Sequence, residues 1–281
     1  HFEANGKPDD FIVPGDVNST LAGAICANKL GIKLAHLESG LRSFDRAMPE
    51  EHNRVVTDNL SDICFVTEES GLKNLTSENN TAQRILVGNT MIDSMVKFDK
   101  DIDQSTVLET LNLTEKEFCL MTFHRPSNVD SKEGMLLLVE LIQQTSAMLK
   151  VVIPLHPRTL KMLEEFNLLT EIAENKKVEI LGPLGYFEFQ KLVKSATFIL
   201  TDSGGIQEES TFRKVPCLTL RPNTERPSTC DIGSNTLLEF DLDKIQLKVK
   251  EILDGFYKSS AIPEKWDGKT TERILTELTR G

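Results

Sequence analysis

Cysteine is sparse in this chain: Cys26, Cys64, Cys119, Cys217 and Cys230 make an odd total and form no CxxC pair. That excludes a disulfide-stapled scaffold and the usual zinc-ribbon and thioredoxin-type spacings. Most of these residues sit inside apolar runs and read as buried, reduced thiols of a cytoplasmic protein. No apolar run approaches the roughly 20 residues of a membrane-spanning helix. Basic charge is in deficit, 32 Lys and Arg against 43 Asp and Glu, for a net −11. A general nucleic-acid binder with a basic face is therefore not expected. Neither GxGxxG nor GxxxxGK[ST] occurs, which argues against a nicotinamide or P-loop site. Internal repeats, low-complexity tracts and a signal-peptide pattern are missing as well. What remains is an ordinary globular composition, 39% hydrophobic and 27% charged over 281 residues, enough for two domains or one large α/β unit. The chain starts at His1 rather than Met, so processing or truncation at its start is expected.

Short β-rich runs alternate with helical stretches. Residues 11–15 (FIVPG) read as a buried strand ending in a turn, and Asn18, Ser19 and Thr20 then offer caps for a helix through Leu30. A strand over 33–38, a helix over 49–60 opened by Pro49, and short strands at 63–67 and 85–87 follow. After Gly88-Asn89 a polar stretch is the best domain boundary. The rhythm then restarts, with strands expected at 118–123, 151–155, 178–181, 198–201 and 217–220. Between them, Met135, Leu138, Val139 and Ile142 share one face of a helix over 133–150. Continuous apolar strands separated by helices imply parallel sheets covered on both faces. The expected fold class is α/β: two Rossmann-like, doubly wound parallel-sheet domains, the first incomplete.

In such folds ligands bind beyond the carboxyl ends of the strands, and the unusual residues gather there. Asp16, Glu38, His124, His156 and Asp202 each follow a strand. The sharpest feature is Thr201-Asp202-Ser203-Gly204-Gly205-Ile206-Gln207-Glu208-Glu209. A strand ends, two glycines let the backbone come close, and a helix begins with its amides exposed, which is a cradle for phosphate. Glu209 could accept from a ribose diol, and Arg226, in Thr224-Glu225-Arg226-Pro227, could meet a pyrophosphate. A plain Gly-Gly break is the bland alternative for the turn. Asp16, Glu38, Glu50, His124 and His156 are metal ligands in principle, but no HExxH or close His/Cys spacing joins them, so no metal is expected.

Eight motifs in fixed order carry a family resemblance. They are PGDVNST at 14–20, HLESGLR at 36–42, MPEEHNR at 48–54, GNTMID at 88–93, HRPSN at 124–128, PLHP at 154–157, the Ser203 cradle and TERP at 224–227. Together they resemble the non-hydrolysing UDP-N-acetylglucosamine 2-epimerase family over essentially the whole chain. The resemblance implies the two-domain GT-B-like fold with an interdomain active site. Its first domain would cover 1–87 plus a C-terminal helix at about 265–281 and face the sugar, and 88–264 would bind UDP. It implies that Phe189 lies against the uridine ring, with the Leu184 main chain at the uracil edge. Ser203, Gly204 and Gly205 would hold the phosphates, Glu209 the ribose, and Arg226 and His124 the diphosphate. Asp16, Glu38 and Glu50 would face the sugar, with His156, Arg42 and Arg125 in support. From the residues alone, Phe189 reads instead as helix-face packing beside Tyr186 and Leu192.

The implied reaction is reversible epimerisation at C2. UDP leaves first, the C2 proton is then acidic enough for a carboxylate, and re-addition of UDP to the enol ether 2-acetamidoglucal gives the manno epimer. No cofactor is required, the partner is the UDP-sugar, and a homodimer is expected. The alternatives are a GT-B glycosyltransferase, a hydrolysing epimerase and a non-catalytic UDP-sugar binder. Two departures stand out. Ser127 replaces the glutamate of the family's His-Arg-x-Glu-Asn, and the family's opening Gly-Thr-Arg-Pro-Glu loop has no counterpart. From the second, the strand at 11–13 is expected to have an unpaired edge, and nucleotide binding is expected to survive better than catalysis.

Overall fold

A computed structural model describes residues 6–280, so His1 lies outside the described residues. The chain divides into two compact units. The first runs to Val96 and takes in Asn223–Ser228 and the stretch from Pro263 onward; the second comprises Lys97–Pro222 and Thr229–Ile262. The division thus falls after Val96 rather than at Gly88. The Asn223–Ser228 segment, with Arg226, belongs to the first unit and not to a block spanning 88–264.

In the first unit β1 (Asp10–Pro14), β2 (Lys33–Ser39), β3 (Ile63–Val66) and β4 (Gln83–Leu86) form a parallel sheet in that spatial order. Strand β3 is buried at every position, because alternate side chains enter different cores. Ile63 and Phe65 pack with Ala35 and Val87, whereas Cys64 and Val66 pack with Leu75. Helices α1 (Asn18–Leu30), α2 (Pro49–Leu60) and α3 (Glu69–Ser77) link the strands. Asn18, Ser19 and Thr20 are the first residues of α1 rather than its caps; the N-cap is Val17, which makes no side-chain capping bond. Thr20 instead donates through Oγ1 to the Pro14 carbonyl, at 2.6 Å, tying the helix to the end of β1.

The second unit holds β5 (Phe118–Thr122), β6 (Lys150–Pro154), β7 (Val178–Leu181), β8 (Phe198–Thr201), β9 (Cys217–Leu220) and β10 (Asn235–Leu238). All are parallel, in the order β10-β9-β8-β5-β6-β7. One face buries Cys119, Met121, Val151, Ile153 and Leu200, and the other Phe118, Leu120, Val152 and Ile199. Burying each such side chain is worth about 1.5–3 kcal/mol. The order reverses between β5 and β8, since the chain leaves β5 toward β6 on one side and β8 toward β9 on the other. That switch point opens a crevice at the strands' carboxyl ends. Helices α4 (Lys132–Met148), α5 (Pro157–Glu165), α6 (Tyr186–Ser195) and α7 (Gly204–Arg213) flank the sheet. Ser131 caps α4 by accepting from the Gly134 amide at 3.0 Å.

Among the described residues no helix is long and apolar enough to cross a membrane. All five cysteines are free. Cys64, Cys119 and Cys217 are buried and Cys230 half-buried, but Cys26 is exposed on α1, against the expectation of burial.

Candidate active site

Asp16, Glu38 and Glu50 all belong to the first unit. Gly15 turns the chain out of β1 at φ +65°, a conformation that favours glycine. Its N–H donates to the Leu37 carbonyl at 3.1 Å. Asp16 follows, half-buried, with Oδ2 accepting from Arg54 Nε at 2.9 Å and its carbonyl accepting from Asn53 Nδ2 at 2.8 Å. Arg54 also reaches Glu51, at 2.5 Å. Glu38 sits at a register shift between Leu37 and Ser39 with φ +66°. That left-handed conformation costs a non-glycine residue about 1–3 kcal/mol, and a bulge of this kind re-aims the side chain it carries. Glu50 is exposed on the first turn of α2, whereas its neighbour Glu51 is buried and receives the Ser43 and Phe44 amides, each at 2.9 Å. The adjacent carboxylates therefore differ: Glu51 shapes the loop, and Glu50 stays exposed.

Beneath the Asp16 turn lies a chain of charges, buried from His36 to Arg42 and reaching the surface at Glu78. His36 Nδ1 is 2.7 Å from Asp58 Oδ1, and Nε2 is 2.8 Å from the Gly15 carbonyl. Asp58 Oδ2 meets Arg42 at 2.7 Å and the Gly40 amide at 3.0 Å. Arg42 in turn makes a bidentate pair with Glu78, at 2.8 and 2.7 Å. Arg42 is only 2% exposed and braces the loop after β2. Burial alone would raise the Asp58 carboxyl, but the His36 hydrogen bond and the His36 and Arg42 charges hold it below its ordinary value.

Arg226 also falls in the first unit. It pairs with Glu225, its amide donates to Thr224 Oγ1 at 3.1 Å, and Glu68, buried at the end of β3, lies close enough to feel its charge. The Ser228 amide reaches Glu68 Oε1 at 3.4 Å, and Ser70 Oγ donates to the same oxygen. Burial raises the Glu68 carboxyl, against hydrogen bonds from Ser228 and Ser70 and the Arg226 charge.

The second unit carries the remaining candidates, and its switch-point crevice brings the central ones together. Asp202, fully buried at the end of β8, accepts from the His124 amide at 3.1 Å, the Arg125 amide at 2.9 Å and Asn128 Nδ2 at 3.1 Å. It also faces His124 Nδ1 at 3.1 Å, which fixes the ring with Nε2 directed away from Asp202. Burial alone would raise the Asp202 carboxyl; the His124 ring, the Arg125 amide, the His124 charge and Asn128 overcome it and hold the group low. Arg125 Nε donates to the Asp202 carbonyl at 2.9 Å. The His124 and His156 rings lie 5.4 Å apart. His156 is exposed and caps α5, accepting from the Arg158 amide at 3.1 Å. Ser127 is exposed.

At the start of α7 the Ser203 amide donates to Thr201 Oγ1 at 3.0 Å, and the Ser203 side chain makes no capping bond. The amides of Gly204 and Gly205, in the first turn, have no intrahelical acceptor. Free donors at a helix start are the arrangement an anion site needs. Glu209, a turn further on, is half-buried, and burial of its carboxyl pushes it up to about 7, with Gln190 and Arg213 pulling the other way. Phe189 is half-buried and packs on the core that includes Leu192 and Ile206. Leu184 borders a cavity of about 550 Å³ shared with Val107, Leu111 and Phe187. No group of three or more His, Cys, Asp or Glu among the described residues is placed to hold a metal.

Sequence reasoning missed Asp202 as an organiser, and it missed the His36–Asp58 pair. Both partnerships join residues far apart in sequence, and only the strand-end position of Asp202 hinted at its role.

Two parallel α/β units, the second with a glycine-rich helix start at its switch point, have the GT-B architecture. The wall teichoic acid polymerase TagF, at 13% identity and a TM-score of 0.54 over 97% of this chain and 72% of its own, shares that fold. The family model described as UDP-N-acetylglucosamine 2-epimerase matches residues 2–279, and the chain belongs to this family of isomerases. A UDP-N-acetylglucosamine 2-epimerase of Methanocaldococcus jannaschii is 43% identical over 98% of this chain and 76% of its own length. A crystal structure of the enzyme from that organism, in complex with UDP-GlcNAc and UDP, matches with a TM-score of 0.87 and 42% identity over 99% of this chain and 77% of that one. A Pseudomonas aeruginosa relative, a UDP-2,3-diacetamido-2,3-dideoxy-D-glucuronate 2-epimerase, is 38% identical over 85% of this chain and 66% of its own.

Proposed function

We propose that this epimerase interconverts UDP-N-acetylglucosamine and UDP-N-acetylmannosamine by elimination and re-addition of UDP. The observation that carries the reading is the His124–Asp202–Ser203 crevice, where an oriented imidazole and two unpaired helix-terminal amides converge at the switch point of the second unit. Ser203, Gly204 and Gly205 hold the phosphates, His124 and Arg226 the diphosphate, and Glu209 the ribose. Phe189 and the Leu184 main chain take the uracil. Fixed donors aimed at the diphosphate stabilise it as it leaves C1.

Departure of UDP with its bonding electron pair leaves an oxocarbenium-like centre at C1. A carboxylate among Asp16, Glu38 and Glu50 then takes the C2 proton, and the C–H electrons form the C1–C2 double bond of 2-acetamidoglucal. Return of a proton to the opposite face of C2, with UDP re-adding at C1, gives the epimer. The different settings of the three groups, one salt-bridged, one on a bulge and one exposed, suit a division into base and acid. The enzyme acts as a homodimer.

Incubation with UDP-N-acetylglucosamine in deuterated water tests the reading. Reversible formation of the manno epimer with deuterium at C2 is expected; free sugar, or epimer without deuterium, would sink it. The Pseudomonas relative favours a second reading, a 2,3-diacetamido uronic-acid substrate, and offering that sugar nucleotide in the same assay separates the two.

A further inference from the structure

His36 is completely buried, and both of its ring nitrogens face oxygen. Nδ1 lies 2.7 Å from Asp58 Oδ1 and Nε2 2.8 Å from the Gly15 carbonyl. A carbonyl oxygen can only accept. Asp58 is an acceptor too, because its other oxygen already receives Arg42 and the Gly40 amide. A neutral imidazole carries a single N–H. It would therefore point a lone pair at one of these oxygens, a buried contact with no compensation.

We infer that His36 is held as an imidazolium whose two N–H groups clamp the Gly15 carbonyl to Asp58, and that it is a positioning residue for Asp16. The inference rests on the reading of Asp16 as a group that meets the sugar. The surrounding charges fit. From α2 comes Asp58, from the loop after β2 comes Arg42, from the end of α3 comes Glu78, and from β3 comes the Cys64 thiol, 3.9 Å from the Asp58 carbonyl. Along this chain Glu78, Arg42, Asp58 and His36 follow one another, with Glu78 at its exposed end.

The consequence for Asp16 follows from the backbone. The peptide joining Gly15 to Asp16 presents its carbonyl to His36, while the Gly15 N–H is bound to Leu37 on the same strand, at 3.1 Å. With both ends of Gly15 fixed on β2, the direction in which Asp16 leaves the turn is fixed as well. Arg54 and Asn53 then hold its carboxylate and its carbonyl. Without the Nε2 donor the peptide is free to rotate, and a displacement of about 1 Å at a reacting group can cost 10²-fold in rate.

Two readouts test this on the full chain. In the histidine-labelled wild-type enzyme at pH 8, where an ordinary histidine near 6.5 is neutral, nitrogen NMR should show both His36 ring nitrogens protonated. A single protonated nitrogen would overturn the charge assignment, and this measurement needs no variant to fold. His36→Leu removes both donors, whereas His36→Gln keeps one within reach of the Gly15 carbonyl. Turnover should fall about 100-fold in His36→Leu and recover at least about tenfold in His36→Gln, with UDP affinity within about twofold of wild type in both. Equal turnover in all three proteins, or parallel losses of UDP affinity and rate, would overturn the positioning role. Asp16→Asn separates the two layers: unchanged turnover there would remove Asp16 from the reaction, while the ring spectrum would still decide the state of His36.

Discussion

Replacing Asp202 with alanine tests the physical account of the crevice most directly. The wild-type carboxylate satisfies the His124 and Arg125 amides, the His124 Nδ1–H and Asn128 Nδ2. Truncation leaves two backbone donors and a ring donor without an acceptor, each costing about 1–3 kcal/mol. His124 and Arg125 are half-buried, so water can reach them in part and the lower end of the range applies. The expected loss is about 3 kcal/mol, in line with the cost of removing one partner of a buried charged pair. UDP affinity should fall as well, by about tenfold, because the loop that aims His124 is no longer fixed. The pH dependence has a definite sign. The folded-state value of Asp202 lies below the unfolded one near 3.9, so its contribution is fully present above about pH 4. It is lost as the pH falls through the lower, folded value. Urea unfolding followed by circular dichroism should therefore show the same gap between wild type and variant at pH 7 and pH 5, and a smaller gap near pH 3. A variant within about 1 kcal/mol of wild type at pH 7, or a gap that does not shrink in acid, would refute the reasoning.

Glu38→Gly should abolish epimerisation yet change unfolding free energy by less than about 1 kcal/mol, because relief of the left-handed φ offsets the added chain entropy of glycine; denaturation and turnover on the same sample check it. Arg226→Ala should weaken UDP binding by about 1.5–3 kcal/mol, as for other hydrogen bonds to charged groups, and unchanged affinity by calorimetry would remove Arg226 from the site. With the Glu209 carboxyl at about 7, UDP affinity should decline as the pH drops from 8 to 6, since the ionised form is the stronger acceptor for ribose hydroxyls. That dependence should vanish in Glu209→Gln, and calorimetry across the range would show it.

Strand positions were legible because apolar, β-branched runs in a parallel sheet are continuous, and residues 178–181, 198–201 and 217–220 coincide with β7, β8 and β9. Helix α2 was legible from Pro49, whose fixed φ suits a first turn. Strand β10 was not: it lies at a sheet edge, opens with Asn235 and Thr236, and has only two apolar residues to betray it. The strand, glycine pair and helix start around Ser203 could be read because they are contiguous. Local order of this kind is written in neighbouring residues. Tertiary structure alone decided that Asp202 organises the loop of His124, that Arg42 is a buried brace, that Glu51 shapes its loop while Glu50 stays exposed, and that residues 223–228 join the first unit. It also decided the pairing of His36 with Asp58. Each of these depends on which distant backbone segments the two sheets bring within hydrogen-bonding distance, and on the burial that then forbids leaving a charge or donor unpaired.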